Sequence, residues 1–425
     1  MFESGGRRPH QLEDLAALYL CATAARRAAH RAELDRLLAR VDPERLAVVL
    51  NGQRVLALAG GRAVAWSPRG LGEHFETCVD AARQSNRRAA IAVELHTLRV
   101  LSLLQVAGIA AVPLKGPRMA ATLHGEVEAR SCFDVDLLVA PEHLEEAVRV
   151  AVSDGYGRPH EWGRLRDRPK LHYRLEHPGG LLPPLELHWR IDWYGAAFSQ
   201  HLLERARGQP IEERQVDGAE QLAALLVFYA RDGFQGLRLA ADIAGWWDRF
   251  GDASLDGVLD PLAAAFPSIA HVLDAASGVC QRLVGVPARA LRAGGVPRRR
   301  RTLVAQRLVN WRLRGSTDQL QADVTLVDWL LVPPGGQRAY AQRWLWPEPY
   351  VIRRSHELPP DSRSRMFVHR LTFGPKLMCR HLYALWRVRL GRLGTGPAAG
   401  VRLRAGGGAC ACAPGGRPGG CAEGA

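Results

Sequence analysis

Apolar residues recur at helical spacing from Gln11 to Val41, with many alanines between them, and Pro43 closes the run. That pattern predicts a helix or a helix pair. Shorter mixed pieces follow around Gly60, Gly61, Pro68 and Gly70, and residues 72–107 return to helical periodicity up to Gly108. From Ile109 the texture changes, because short apolar runs now alternate with helical patterns. Residues 109–114 read as a buried strand, 117–124 as a short helix opened by proline, and 134–140 as a strand. Residues 141–155 form a helix pattern with Pro141 at its start, acidic residues in its first turns and glycine at its end. Residues 171–177 and 185–191 alternate as half-buried strands around a Gly-Gly-Leu-Leu-Pro-Pro turn.

Beyond the strands the pattern is helical again. Residues 219–250 predict two helices broken at Gly233 and Gly236, and helical spacing continues through 258–291. A basic cluster, Arg298 to Arg301, reads as a solvated helix start. Residues 320–350 hold Trp329, Trp344 and Trp346 around proline turns, and 364–392 gives a last basic helix with Trp386. The tail from Gly394 to Ala425 lacks the apolar content to fold. No internal repeat is evident. The expected organisation is a helical N-terminal region over 1–84, an α/β unit over 85–209, a helical basic region over 210–393 and the tail over 394–425.

Composition changes this picture in three ways. A chain of 425 residues with 47% hydrophobic content supports more than one core. The net charge of +14 suggests an anionic partner, but only Lys115, Lys170 and Lys376 are lysines among 57 basic residues, so part of that charge reflects an arginine-rich habit. Where arginine is so favoured, a lysine at a particular place carries extra weight. The eight cysteines are scattered without paired C-x-x-C spacing, which indicates neither a zinc site nor a disulfide framework. With no secretory pattern at Met1 to Arg8 and no run of about 18 uninterrupted apolar residues, a soluble cytoplasmic protein without membrane partners is the expectation.

The candidate chemistry sits in the strands. Asp134 and Asp136 flank a valine, so both side chains emerge on one face of a strand, where two carboxylates repel unless a cation lies between them. Glu186 lies in a later alternating strand and shares its face with His188. A divalent ion held jointly with the aspartates would satisfy it, and a salt bridge to Arg174 or Arg190 would serve equally. Upstream, Lys115 and Gly116 occupy a strand-to-helix turn, where a glycine lets phosphate approach the backbone and free N–H groups at the helix start bind it. His172, Tyr173 and His188 read either as contacts of this site or as ordinary strand residues. Asp242 reads as a packing or capping residue, and Trp246 and Trp247 as core.

Taken in order, a strand, a glycine turn, a short helix, a D-x-D strand and a single acid on a later strand resemble the polymerase-β-like nucleotidyltransferase superfamily. The stretches LLQVAGIAAVPLKGPRMAATLHGEVEARSCFDVDLLV, GYG, LELHW and LLVFYARDGFQGLRLAADIAGWW are similar to the bacterial family of uncharacterised nucleotidyltransferases, over roughly residues 85–250. The resemblance implies an α+β fold, a mixed sheet with flanking helices and a larger helical C-terminal region. It implies that Asp134, Asp136 and Glu186 bind two Mg²⁺ ions and carry catalysis, with Glu186 either a ligand or the base for the acceptor proton. Lys115, Gly116 and Arg130 would contact the nucleotide. The substrates would be a nucleoside triphosphate and an acceptor hydroxyl on a protein, peptide, small molecule or RNA. The alternative is an inactive module that binds nucleotide or nucleic acid. Departures from the pattern are the lysine at 115, the seventeen residues between Gly116 and Asp134, and Cys132 and Phe133 before the aspartates.

Overall fold

The structure, a computed structural model, describes residues 11–67, 70–159, 170–251, 257–287, 300–309, 311–312, 317–333, 336–345 and 363–390. Arg298, Arg299, Trp346 and the tail from Gly394 lie outside the described residues.

The N-terminal pattern resolves into α1 (Gln11–Leu20), α2 (Ala24–Ala29), α3 (Arg31–Leu38) and α4 (Pro43–Gly52), a π-helical turn Leu56–Gly60, and α5 (Gly61–Trp66). The single or paired helix expected over 11–41 is therefore three. Thr23 ends the first run, because its side chain accepts a hydrogen bond from the Arg26 amide and caps α2. Asp42 caps α4 in the same way, with Pro43 in its first turn. These helices bury Leu20, Leu34, Leu46, Leu50 and Phe75 in one core, which also takes in Leu237 and Ala241 from the C-terminal half.

Helix α6 (Glu73–Val106) runs unbroken across residue 84 and joins that core to the sheet. It is long and apolar enough, by length and composition, to cross a membrane. In the fold its Val93, Val100, Leu101 and Leu104 pack on the sheet. Four short strands follow, β1 (Ala111–Pro113), β2 (Val135–Val139), β3 (His172–Leu175) and β4 (Leu185–His188), in the order β1-β2-β4-β3. The β2–β4 pair is parallel and the other two are antiparallel, so the sheet is mixed.

Alternation along each strand divides the sheet into two faces. Val135, Leu137, Tyr173, Leu175, Leu185 and Leu187 face α6 and α8 (Leu144–Ser153) in one core. Asp136, Glu186, His188, His172 and Arg174 occupy the alternate positions and therefore the opposite face. Leu138 belongs to that second face and joins a larger core with α7 (Pro117–His124), α9 (Ala197–Ala206), α10 (Gly218–Arg231), α11 (Arg238–Phe250), α12 (Asp260–Ala265) and α13 (Pro267–Val284). Helices α14 (Arg300–Ala305), α15 (Thr317–Leu331) and α16 (Gln337–Leu345) extend it, and α17 (Arg363–Leu390) packs on α15 and α16. The sheet and the helical region after residue 209 thus share a core.

Candidate active site

The site is built by strand register. Asp136 and Glu186 are direct partners on the adjacent parallel strands β2 and β4, as are Leu138 and His188. On the other side of β4, His172 pairs with His188 and Arg174 with Glu186. Asp134 lies immediately before β2, two residues from Asp136 and half-buried. A carboxylate pair that the chain separates by fifty residues is thereby set side by side on one face, with two imidazoles next to it.

Asp136 is buried, and its oxygens meet two cationic or donor groups. His188 Nε2 donates to Oδ1 at 3.0 Å, and Lys115 Nζ stands 3.9 Å from Oδ2. Burial works to raise the Asp136 carboxyl, but the Lys115 ammonium and the His188 hydrogen bond overcome it and hold the group far below the usual carboxylate range. Lys115 reaches this point because the turn after β1 directs it under α10, where its ammonium lies 4.0 Å from the centre of the Phe228 ring. Arg231 stacks on the same ring at 4.6 Å. Burial lowers the lysine's own value, and Asp136 opposes that shift.

Glu186 behaves in the opposite sense. Burial, then the negative charges of Asp136 and Asp134, push its carboxyl up to about 7. Arg174 Nη1 lies 3.4 Å from Oε1, so the ion pair that the strand pattern left open is present, although the Arg174 side chain is 47% exposed. His172 Nε2 and His188 Nε2 stand 3.6 and 3.7 Å from Glu186 Oε2. Burial, with the neighbouring imidazole and Arg231, drives His172 down to about 2, and burial takes His188 down to about 4 against the pull of Asp136. Both rings are neutral at physiological pH.

Asp136, Glu186, Lys115 and the two histidines are therefore brought together, with Asp134 near enough for its charge to act on Glu186, whereas Arg130 is committed elsewhere. Its guanidinium donates to Asp242 at 2.8 Å and to the Cys132 sulfur at 3.1 Å, and His124 completes the Asp242 contacts at 3.1 Å. All these side chains are buried, which makes Arg130–Asp242 an internal tie between the turn before β2 and α11. Trp246 and Trp247 are buried in the core beside it. Gly116 starts α7 with φ +141°, a conformation that disfavours side chains, and open space lies where a Cβ would stand. A cleft at this turn is lined by Glu94, Lys115, Gly116, Arg118, Gln215 and Gln221, and it borders the site through Lys115. Phe228 and Arg231 were not singled out from the sequence. Their spacing on one helix face was the available signal.

Asp136 and Glu186 stand side by side, and burial together with the charges of Asp136 and Asp134 works against ionising Glu186, an arrangement that a bound cation would relieve. The donor set is oxygen-rich and hard, which suits Mg²⁺. Lys115 supplies part of the missing positive charge in the structure. The residues present thus fit divalent-metal binding.

A mixed sheet with flanking helices, carrying paired strand carboxylates behind a glycine turn, is the architecture of a nucleotidyltransferase. The chain belongs to the family of uncharacterised nucleotidyltransferases, whose model matches residues 39–283, more than half of its length. Searches of curated proteins and of solved structures return no match.

Proposed function

We propose that the chain transfers a nucleotidyl group from a nucleoside triphosphate to an acceptor hydroxyl, using divalent ions held by Asp134, Asp136 and Glu186. The observation that carries this reading is the lateral pairing of Asp136 with Glu186, with the Glu186 carboxyl pushed up to about 7 by burial and by the two aspartates. Bound ions would neutralise charge on the entering and leaving oxygens of an in-line displacement. The chain's own residues divide the remaining work. The amides at the start of α7, opened by Gly116, receive phosphate. Lys115 keeps Asp136 ionised and in place without gripping both of its oxygens. Glu186 has a value near neutrality, which also equips it to take the proton of the acceptor hydroxyl. The acceptor class is a protein, peptide, small molecule or RNA in the cytoplasm.

The test is pyrophosphate release from each nucleoside triphosphate, with and without Mg²⁺, in the presence of fractionated cell extract as acceptor. Metal-dependent release and an α-phosphate-labelled product that Glu186→Gln abolishes while remaining folded would support the proposal. Salt-sensitive retention on nucleic acid with no turnover of any triphosphate would replace it with a binding role.

A further inference from the structure

We propose that His172, Glu186 and His188 form a binding site for a divalent transition-metal ion of the zinc and cobalt class, so that one position of the active site has nitrogen ligands. The inference rests on the carboxylate-site reading above and specifies it further. His172 Nε2 and His188 Nε2 lie 3.6 and 3.7 Å from the same oxygen, Glu186 Oε2. The three ligand atoms all fall within 4.8 Å of one another. Two ligands bound at about 2.1 Å to one tetrahedral zinc ion stand roughly 3.4 Å apart. The existing spacings to Glu186 therefore need little adjustment, and the two nitrogens, within 4.8 Å of each other, can close to the same spacing.

The scaffold favours that closure. His172 and His188 are register partners on antiparallel strands, and their rings lie 4.8 Å apart at an interplanar angle of 31°. His188 is fully buried with the Phe228 ring edge-on to it, while the His172 side chain is 37% exposed, the more accessible of the two rings. Glu186 is contacted by the half-exposed Arg174, which can swing into solvent when an ion arrives. Asp136 Oδ1, 3.0 Å from His188 Nε2, stands ready as a further oxygen ligand once the imidazole proton is displaced.

Donor chemistry then sets the metal. Mg²⁺ prefers hard oxygen ligands and retains its waters, while a pair of imidazoles with a carboxylate binds later first-row ions far more tightly. An all-carboxylate site would not discriminate in this way. On this reading two positions share Glu186, with Asp134 and Asp136 on the oxygen side and His172 and His188 on the nitrogen side.

Cobalt(II) provides the probe, because an imidazole bound to it shows a strongly shifted, exchangeable N–H resonance in proton NMR. Full-length protein, stripped with chelator and loaded with one equivalent of Co²⁺, is expected to give two such resonances. His172→Gln should remove one of them and weaken Co²⁺ binding about tenfold or more, the scale at which even residues outside the coordination shell act. Mg²⁺ affinity should stay within a factor of two. His188→Gln should remove the other resonance, with a metal-free melt checking that the variant folds. His172→Gln is the decisive variant because its side chain is partly exposed. Bound Co²⁺ with no imidazole resonance, or equal loss of Mg²⁺ and Co²⁺ in His172→Gln, would overturn the nitrogen-ligated site while leaving the carboxylate site standing. Failure of the carboxylate reading would appear separately, as no Mg²⁺-dependent stabilisation and no pyrophosphate release.

Discussion

Glu186→Gln is expected to make the metal-free protein more stable, and the size of the effect depends on pH. The Glu186 side chain is 16% exposed and shares its face with two aspartates. Its carboxyl rises from 4.5 in the unfolded chain to about 7 in the fold. A raised folded-state value means that the fold prefers the neutral acid. The stability this group contributes is complete below 4.5 and is lost as pH rises through about 7. The gap between the two values corresponds to about 3 kcal/mol. The opposing contribution is the Arg174 ion pair, and with that side chain 47% exposed it belongs to the surface class worth about 0 to 1 kcal/mol. Burial and repulsion therefore win, because the value of about 7 already includes the Arg174 charge.

Glutamine keeps the shape and carries no charge, so it retains at pH 8 the stability that the wild type has only in acid. Denaturant unfolding of both proteins in chelator should show nearly equal stability at pH 4.5 and a gain for Glu186→Gln approaching about 3 kcal/mol at pH 8. Mg²⁺ should close most of that gap. A ligand at a hundred times its Kd adds about 2.7 kcal/mol to the wild type, and the variant, lacking one ligand, should gain less. A variant that is less stable than the wild type at pH 8 without metal would refute the reasoning, because it would make Glu186 a salt-bridge partner of Arg174 instead of the strained member of a carboxylate cluster.

Asp136→Asn should act in the opposite sense, costing about 3 to 5 kcal/mol in denaturant unfolding because it leaves the Lys115 charge buried without its counter-charge, and Lys115→Met added to it should recover most of the loss. Arg130→Ala and Asp242→Ala should each lower stability by about 3 to 5 kcal/mol with a combined effect well below their sum, whereas a nucleotide-binding role for Arg130 would show as a raised KM with an unchanged melt. Burial pushes the Asp328 carboxyl up to about 7 although the Tyr194 and Tyr340 hydroxyls donate to it, so its contribution to stability is present in acid and lost as pH rises through 7. Asp328→Asn should flatten the fall in melting temperature between pH 5 and 8, and an unchanged slope would argue against it.

The sheet was legible because its strands are short and one residue type alternates with the other. Val135, Leu137, Leu185 and Leu187 mark one face, and Asp136, Glu186 and His188 the other, so the direction of each candidate acid followed from period alone. Proline at the start of α7 and glycine after it fixed that helix at Pro117–His124. Strand order was not legible, since the same alternation fits any pairing of β1 to β4, and it is the β2–β4 register that makes Asp136 and Glu186 neighbours. Long-range partners were equally hidden. Nothing in the local pattern links Arg130 to Asp242, which lies 112 residues further on. The three-helix start was missed because alanine-rich spacing runs through Thr23, whose capping bond outweighs the continuity of the period.

The lysine at 115 ties the compositional signal to the site. In a chain whose cations are almost all arginine, its conspicuousness asked for a reason, and phosphate binding beside Gly116 was the first one offered. The geometry supports another. A guanidinium at this place would clamp Asp136 through two parallel hydrogen bonds, and such a planar, permanently charged fork would compete strongly with any incoming ion. An ammonium is a compact point charge. At 3.9 Å from Asp136 it keeps the carboxylate ionised without occupying its oxygens in a bidentate grip, while the Phe228 ring, 4.0 Å away, accepts the charge from the other side. The residue is thus suited to hold the acid ready for a cation and to yield it, which is what the proposed metal-dependent transfer would require of this cluster.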